Sequence, residues 1–250
     1  MIKTKDEIGK IREGGKILHG ILRAAAAMVK PGISTAELND FAEKEIIKAG
    51  GRPSFKNYGE KDNPFPAGLC TSINEVVVHG IPSKKEILKE GDIVGLDIGM
   101  EYKGLYTDTA ITVPVGKVNK EVEKLLDVTQ KALQAGIDQA RPGNRVGDIG
   151  AAIEAHANKT KLGVIRDLVG HGVGYGVHED PLIPNFGRPH TGKELKEGMV
   201  LAIEPMFTLG GYRLVFDEGD GWTISTADGK YSAHFEHTIA ITKDKAEILT

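Results

Sequence analysis

Cysteine is almost absent: Cys70 is the only one in 250 residues, which excludes an intrachain disulfide and any cysteine-rich zinc site. Tryptophan is equally scarce, Trp222 standing alone. No run approaches the ~18 apolar residues of a membrane-spanning helix, and the opening Met1-Ile-Lys-Thr-Lys-Asp-Glu-Ile has no apolar stretch of the kind a secretory leader needs. The net charge is only -3, with Lys and Arg scattered rather than clustered, which leaves no footprint for nucleic acid or an anionic membrane surface. The expectation is a cytoplasmic globular protein, since 40% hydrophobic and 27% charged residues suffice for one large core or two small ones.

What is present centres on residues 92–113, two apolar runs that fold back across a turn near Tyr102-Lys103-Gly104. Asp97 lies in an Ile/Val/Leu run and Asp108 in an alternating Thr/Ile/Val run, and folding about residues 102 and 103 sets the two acids opposite one another. Like charges facing across strands destabilise a sheet. Either one acid is protonated, or cationic side chains are close, or a divalent cation sits between them. The cation is favoured, because hard oxygen donors on strands suit a hydrolytic metal site.

Upstream, apolar spacing predicts a helix from about Lys5 to Val29, stopped by Lys30-Pro31-Gly32. A second helix, capped by Ser34 or Thr35, is expected to carry Leu38, Phe41, Ile46 and Ile47 inward and to stop at Gly50-Gly51. Residues 52–68 read as a polar loop whose Phe55, Tyr58 and Phe65 form a latch on the core or a pocket wall. Thr71 to Pro82 is expected as one strand running into His79. An internal echo then organises the chain: Lys30-Pro-Gly recurs as Arg141-Pro-Gly, and the Lys89-Glu-Gly that leads to Asp97 recurs as the Lys196-Glu-Gly that leads to Glu204, at offsets of 111 and 107. Two related halves, each of two helices followed by strands, would pack about a pseudo-twofold axis into one sheet with helices on one side. Asp97 and Glu204 then point into one cleft. Val169 to Pro181 is rich in glycine around His171 and His178, a backbone bent closely about something. Residues 211–222 read as a hairpin turn ending at Trp222, and Tyr231 to Ile241 as a strand bearing Glu236. Asp97, Asp108, His171, Glu204 and Glu236 suffice for two ions sharing carboxylates, and the imidazole favours manganese, iron, cobalt or zinc over magnesium.

The motifs Asn74-Glu-Val-Val-Val-His79-Gly-Ile-Pro, Asp92-Ile-Val-Gly-Leu-Asp97, Thr107-Asp108-Thr, Gly170-His171-Gly-Val-Gly, Val177-His178-Glu-Asp-Pro, Ile203-Glu204-Pro-Met and Phe235-Glu236-His-Thr span nearly the whole chain. Together they make it resemble the type I methionine aminopeptidases of the pita-bread metallopeptidase family. The resemblance implies an α+β pita-bread fold over residues 1–250 as a single catalytic domain, with pseudo-symmetric halves of about 1–115 and 116–250. It implies removal of the initiator methionine when the second residue is small. Asp108 and Glu236 would bridge two divalent ions (cobalt, manganese, iron or zinc), His171 and Glu204 would complete one site, and Asp97 would chelate the other. His79 and His178 would flank the scissile peptide, Glu204 would shuttle the proton, and Tyr58, Phe65, Cys70 and Trp222 would line the substrate pocket. The implied partners are the nascent chain and the ribosome near its exit tunnel, for a monomer that binds no membrane and no specific nucleic-acid sequence. A chain that starts at its first helix and lacks a long insertion after the second His fits type I. Two positions depart from the family pattern: Val78 stands where bacterial relatives often have cysteine, and Val177 where an aromatic commonly lines the methionine pocket. The loop from Phe55 to Phe65 is also longer than usual. A proline-directed aminopeptidase of the same fold and a non-catalytic peptide-binding member are the alternatives. Lack of room for an extra amino-terminal domain weighs against the first, and the presence of all five ligand residues against the second.

Overall fold

The computed structural model describes residues 2–250, so that of the expected span only Met1 lies outside the described residues. The first half comprises α1 (Lys5–Ala27), α2 (Thr35–Lys48), β1 (Arg52–Pro53), β2 (Leu69–Ile73), β3 (Val76–Val78), β4 (Ile93–Tyr102) and β5 (Leu105–Pro114). The second comprises α3 (Lys120–Gln139), α4 (Val146–Thr160), β6 (Gly163–Val164), β7 (Gly170–Gly172), β8 (Glu179–Ile183), β9 (Val200–Ile203), β10 (Met206–Thr208), β11 (Leu214–Phe216), β12 (Ile224–Thr226), β13 (Ser232–His234), β14 (Glu236–Ile241) and β15 (Ala246–Ile248). A central antiparallel sheet runs β1-β4-β5-β14-β9-β7-β8, with β2 on β4 and β15 on β14. Two three-stranded sheets, β13-β10-β6 and β11-β12-β3, flank it. This is the α+β pita-bread architecture expected.

The helices start where local chemistry dictates. Thr4 with Glu7 and Ser34 with Glu37 form reciprocal capping boxes at α1 and α2, each satisfying amide donors that the helix leaves orphaned. Leu38, Ala42 and Ile46, four residues apart, form the buried seam of α2. Ile47, expected inward, is 63% exposed, because it sits a further ~100° round the helix from Ile46. Phe41 is only partly buried. The echo is structural as well as sequential. Gly32 N–H donates to Leu88 O and Leu88 N–H to Ile33 O, while Gly143 N–H donates to Leu195 O and Leu195 N–H to Asn144 O, the same bonds at offsets of 111 and 107. The isolated bridges Ser34–Ile87 and Arg145–Glu194 repeat the relation.

Three strand expectations need correction, the simplest being Tyr231 to Ile241, which is not one strand but β13 and β14, in different sheets. The hairpin turns one residue later than expected, at Lys103 and Gly104, both at positive φ, so that Tyr102 pairs with Leu105. Positive φ at both central residues matches the twist of the flanking strands. Asp97 consequently faces Ala110 and Asp108 faces Gly99, and the acids are diagonal neighbours rather than directly opposed. They still share a face. Thr71 to Pro82 is two strands, not one. The chain breaks at Asn74 (φ 54), whose side chain donates to Asp92 Oδ1 and accepts from Ile93 N–H, local bonds that asparagine can make at positive φ.

Register fixes which face is which, since directly paired residues point the same way and successive residues alternate. Leu96, Ile98 and Met100 on β4 pack against α1 and α2, and Leu201, Ile203, Ile239 and Ile241 against α3 and α4. The opposite face of the same strands carries Asp97, Asp108 and Glu236.

Candidate active site

Ala110 organises the polar face. It pairs with Asp97 across β4 and with Glu236 across β14, so two acids flank one small side chain, and Asp108 projects two residues along β5. His171 pairs with Ala202 and Ala202 with Thr238, which puts His171, and by alternation Glu204 just past β9, on that face too. Gly170 and Gly172 allow β7 to lie this close: a Cβ on either would come within 2.4 Å of a carbonyl oxygen, Ala202 O or Asp180 O. His79 follows β3 at φ 59, and Gly80 behind it has no room for a side chain against Thr71 O. Such a left-handed non-glycine residue is a costly conformation of the kind that collects at functional sites.

One atom each from Asp108, His171 and Glu236 lies within 4.8 Å of the others. His171 Nε2 is 3.4 Å from Glu204 Oε1 and 3.7 Å from Asp108 Oδ2. Its Nδ1 lies 2.9 Å from Gly172 O, so Nδ1 carries the hydrogen and the Nε2 lone pair faces the acids. Burial pushes Asp97 up to about 7, with Asp108 and Glu204 adding to it against His234, and Glu204 up to about 8. Burial raises Asp108 too, and raises Glu236 well above the carboxylate range with help from its acidic neighbours. Among the described residues no lysine or arginine lines the cavity, so the cationic-neighbour alternative is gone. What remains is protonation or a cation. Asp97 Oδ1 is buried without a partner, and a set of carboxylates with one outward-facing imidazole lone pair has the hard-oxygen and nitrogen donors that divalent ions take. The site fits a divalent metal, and Asp97, Asp108, His171, Glu204 and Glu236 are the residues that would hold it.

The five donors open into one cavity of about 180 Å³ that is also lined by His79, His178, Tyr58, Phe65, Cys70 and Trp222. All eleven residues singled out in the sequence therefore meet there. Phe55 joins them as a wall residue, with Val78, Val169 and Met206 from the stretches around His79, His171 and Glu204, and Leu168, an apolar residue that no motif marks. Burial pushes His79 and His178 down to about 4, so both are neutral at physiological pH.

A model of metallopeptidase family M24 matches residues 9–243. Methionine aminopeptidase 1 of Bacillus subtilis is 47% identical over 248 residues, covering 99% of this chain and 98% of its own length. The chain belongs to the type I methionine aminopeptidases of family M24. The crystal structure of the Thermotoga maritima methionine aminopeptidase superposes with a TM-score of 0.96 at 44% identity, over 100% of this chain and 98% of that one. The prolidase of Pyrococcus furiosus, with a TM-score of 0.79 at 23% identity over 65% of its length, shares the fold.

Around this M24 cleft the long loop after Phe55 is bolted on two sides. Tyr58 OH lies 2.6 Å from His178 Nδ1, and on the other side Trp222 Nε1–H donates to Asn63 O while Asn63 Nδ2 donates to Asp220 O. Phe65 and His79 both meet the Trp222 ring edge-on. Val177 faces a neighbouring cavity shared with Arg52, Lys56 and Tyr106 rather than the one holding the acids. Tyr58→Phe removes the hydrogen bond to the His178 ring and little else. A bond worth about 1 kcal/mol translates into a kcat/KM lower by about 5- to 10-fold, with melting temperature and metal uptake unchanged. Unaltered kcat/KM in steady-state assays would show that Tyr58 does not hold His178.

Proposed function

We propose that the enzyme removes the initiator methionine from new polypeptides whose second residue is small, acting in the cytoplasm as a monomer on chains leaving the ribosome and using two divalent ions. Asp108 and Glu236 are assigned as shared ligands, His171 and Glu204 as completing one site, and Asp97 as serving the other. The observation that carries this reading is the junction, in one cavity, of an apolar wall of Phe55, Phe65, Cys70 and Trp222 with buried acids that no lysine or arginine among the described residues faces.

Divalent ions bound there supply Lewis-acid activation of a water and of the scissile carbonyl. The chain's own groups do the rest. The apolar wall takes a thioether by contact. His79 and His178, neutral from burial, hydrogen-bond the peptide on either side of the scissile bond without adding charge. Burial raises the Glu204 carboxyl in the metal-free fold; with cations bound beside it the ionised form would be favoured, able to take a proton from the water and pass it to the departing amine.

Met-Ala-Ser and Met-Gly peptides are expected to be cleaved only when manganese or cobalt is supplied, and a Met-Lys peptide about 100-fold less well in kcat/KM, a discrimination that pocket sterics can supply. Cleavage of Xaa-Pro peptides irrespective of methionine, read by amine release, would replace this reading with the proline-directed one.

A further inference from the structure

His234 has no role in the reading above, and its surroundings give it one. It is 4% exposed, and its Nε2 is buried with no hydrogen-bond partner. The backbone is fixed on two sides: His234 pairs with Met206 across β10 and β13, and Thr112 Oγ1 accepts from its N–H and donates to its carbonyl. Since Glu204 lies two residues before Met206, this register sets the imidazole diagonally against the Glu204 carboxylate. Nε2 stops 3.3 Å from Glu204 Oε2 while His171 Nε2 stands 3.4 Å from Oε1. Glu204 is thus held between two imidazoles, one at each oxygen.

The two imidazoles are not equivalent. His171 gives its Nδ1 hydrogen to Gly172 O and faces the acids with a lone pair. With a cation bound, Glu204 would be ionised and could only accept, so a lone pair on His234 Nε2 would oppose a carboxylate oxygen at close range, whereas an Nε2–H satisfies both groups. We propose that His234 is a positioning residue for Glu204: donating from Nε2 to Oε2, it holds the carboxylate with Oε1 turned toward His171 and the cation site. This rests on the metal-site reading. Partners of this kind orient a ligating carboxylate, and losing one costs about 10- to 100-fold in metal affinity.

Calorimetric titration of the metal-free protein with manganese tests the idea. His234→Leu is expected to weaken uptake at one site by about 10- to 100-fold, and His234→Gln, whose amide N–H₂ reaches Oε2, to restore it to within about 3-fold. Should the leucine variant not fold, His234→Asn, one methylene short, takes its place against the glutamine variant. Equal affinities of the paired variants and the wild type would overturn the proposal. Pulsed electron paramagnetic resonance of the manganese-loaded wild type is expected to show one coordinated imidazole nitrogen. Two would make His234 a direct ligand and overturn the proposal as stated. A wild type that takes up no manganese at all would instead overturn the metal-site reading, and this inference with it.

Discussion

Stripping the enzyme of divalent ions is expected to abolish activity and to lower its melting temperature by about 5–10 °C relative to the manganese-loaded form. At free metal ~100-fold above the dissociation constant, one site adds about 2.7 kcal/mol, and for a chain of 250 residues each kcal/mol is worth about 2–4 °C. The pH dependence gives the prediction a sign. Asp97 and Glu204 are raised to about 7 and about 8. In the metal-free fold their neutral forms are preferred, a contribution that is complete below the unfolded carboxylate pKa of about 4 and is lost as pH rises through 7 to 8. His79, His178 and His237, depressed to about 4 by burial, act in the other direction: their contribution is complete above the unfolded histidine pKa of about 6.5 and is lost as pH falls toward 4. Between about pH 4 and 6.5 the two sets oppose, and above 6.5 only the carboxylates still change. The metal-free protein should therefore lose stability from pH 6.5 to 8, and the metal-loaded one should not. Thermal melts in chelator and in manganese at both pH values check this. Full activity after exhaustive chelation, or a metal-free melting temperature that rises over that interval, would contradict it.

Glu204→Gln should retain the fold and the peptide site yet turn over at least ~100-fold more slowly under saturating manganese, since removing a general base costs about 10²–10⁴-fold. The amide keeps the shape and one oxygen donor but loses the negative charge and the basic oxygen. Uptake at one metal site should weaken with it, because Glu204 Oε1 stands beside His171 Nε2. His79, His178 and the wall around Trp222 lie on other elements, so a methionine-peptide inhibitor should still bind by calorimetry. The contrast separates catalysis from binding: kcat falls while inhibitor affinity survives. Near-full turnover would remove Glu204 as both base and ligand.

The site was legible to different depths. The five proposed donor residues could be picked out by residue type and neighbourhood, since Asp97, Asp108 and Glu236 interrupt apolar strand runs that would not accept a carboxylate without a reason. Their mutual placement did not follow. A shift of the turn by one residue moved Asp97 from opposite Asp108 to opposite Ala110, and the local signal for the later turn is a single residue, Gly104 at its second central position. His234 could have been found by counting in twos from Glu236, because Ser232, His234 and Glu236 share a parity. Without the pairing of β13 to β10, however, nothing pointed it at Glu204.

By itself the sequence determined what is decided within a few residues: the helix starts, through capping hydrogen bonds three residues apart; the buried stripes, through periodicity; and the twofold echo, through repeated Pro-Gly and Glu-Gly turns. Tertiary structure alone decided what depends on register between distant strands. That includes the pairing of Glu236 with Ala110, the Glu204 carboxylate between His171 and His234, the contact of Tyr58 with His178 across 120 residues, and the turning of Val177 toward the neighbouring cavity. The reason is physical. A capping box or an amphipathic stripe is specified by its own backbone geometry, whereas strand register is set by the packing of the whole apolar face against the helices, and a change of register moves every facing pair at once.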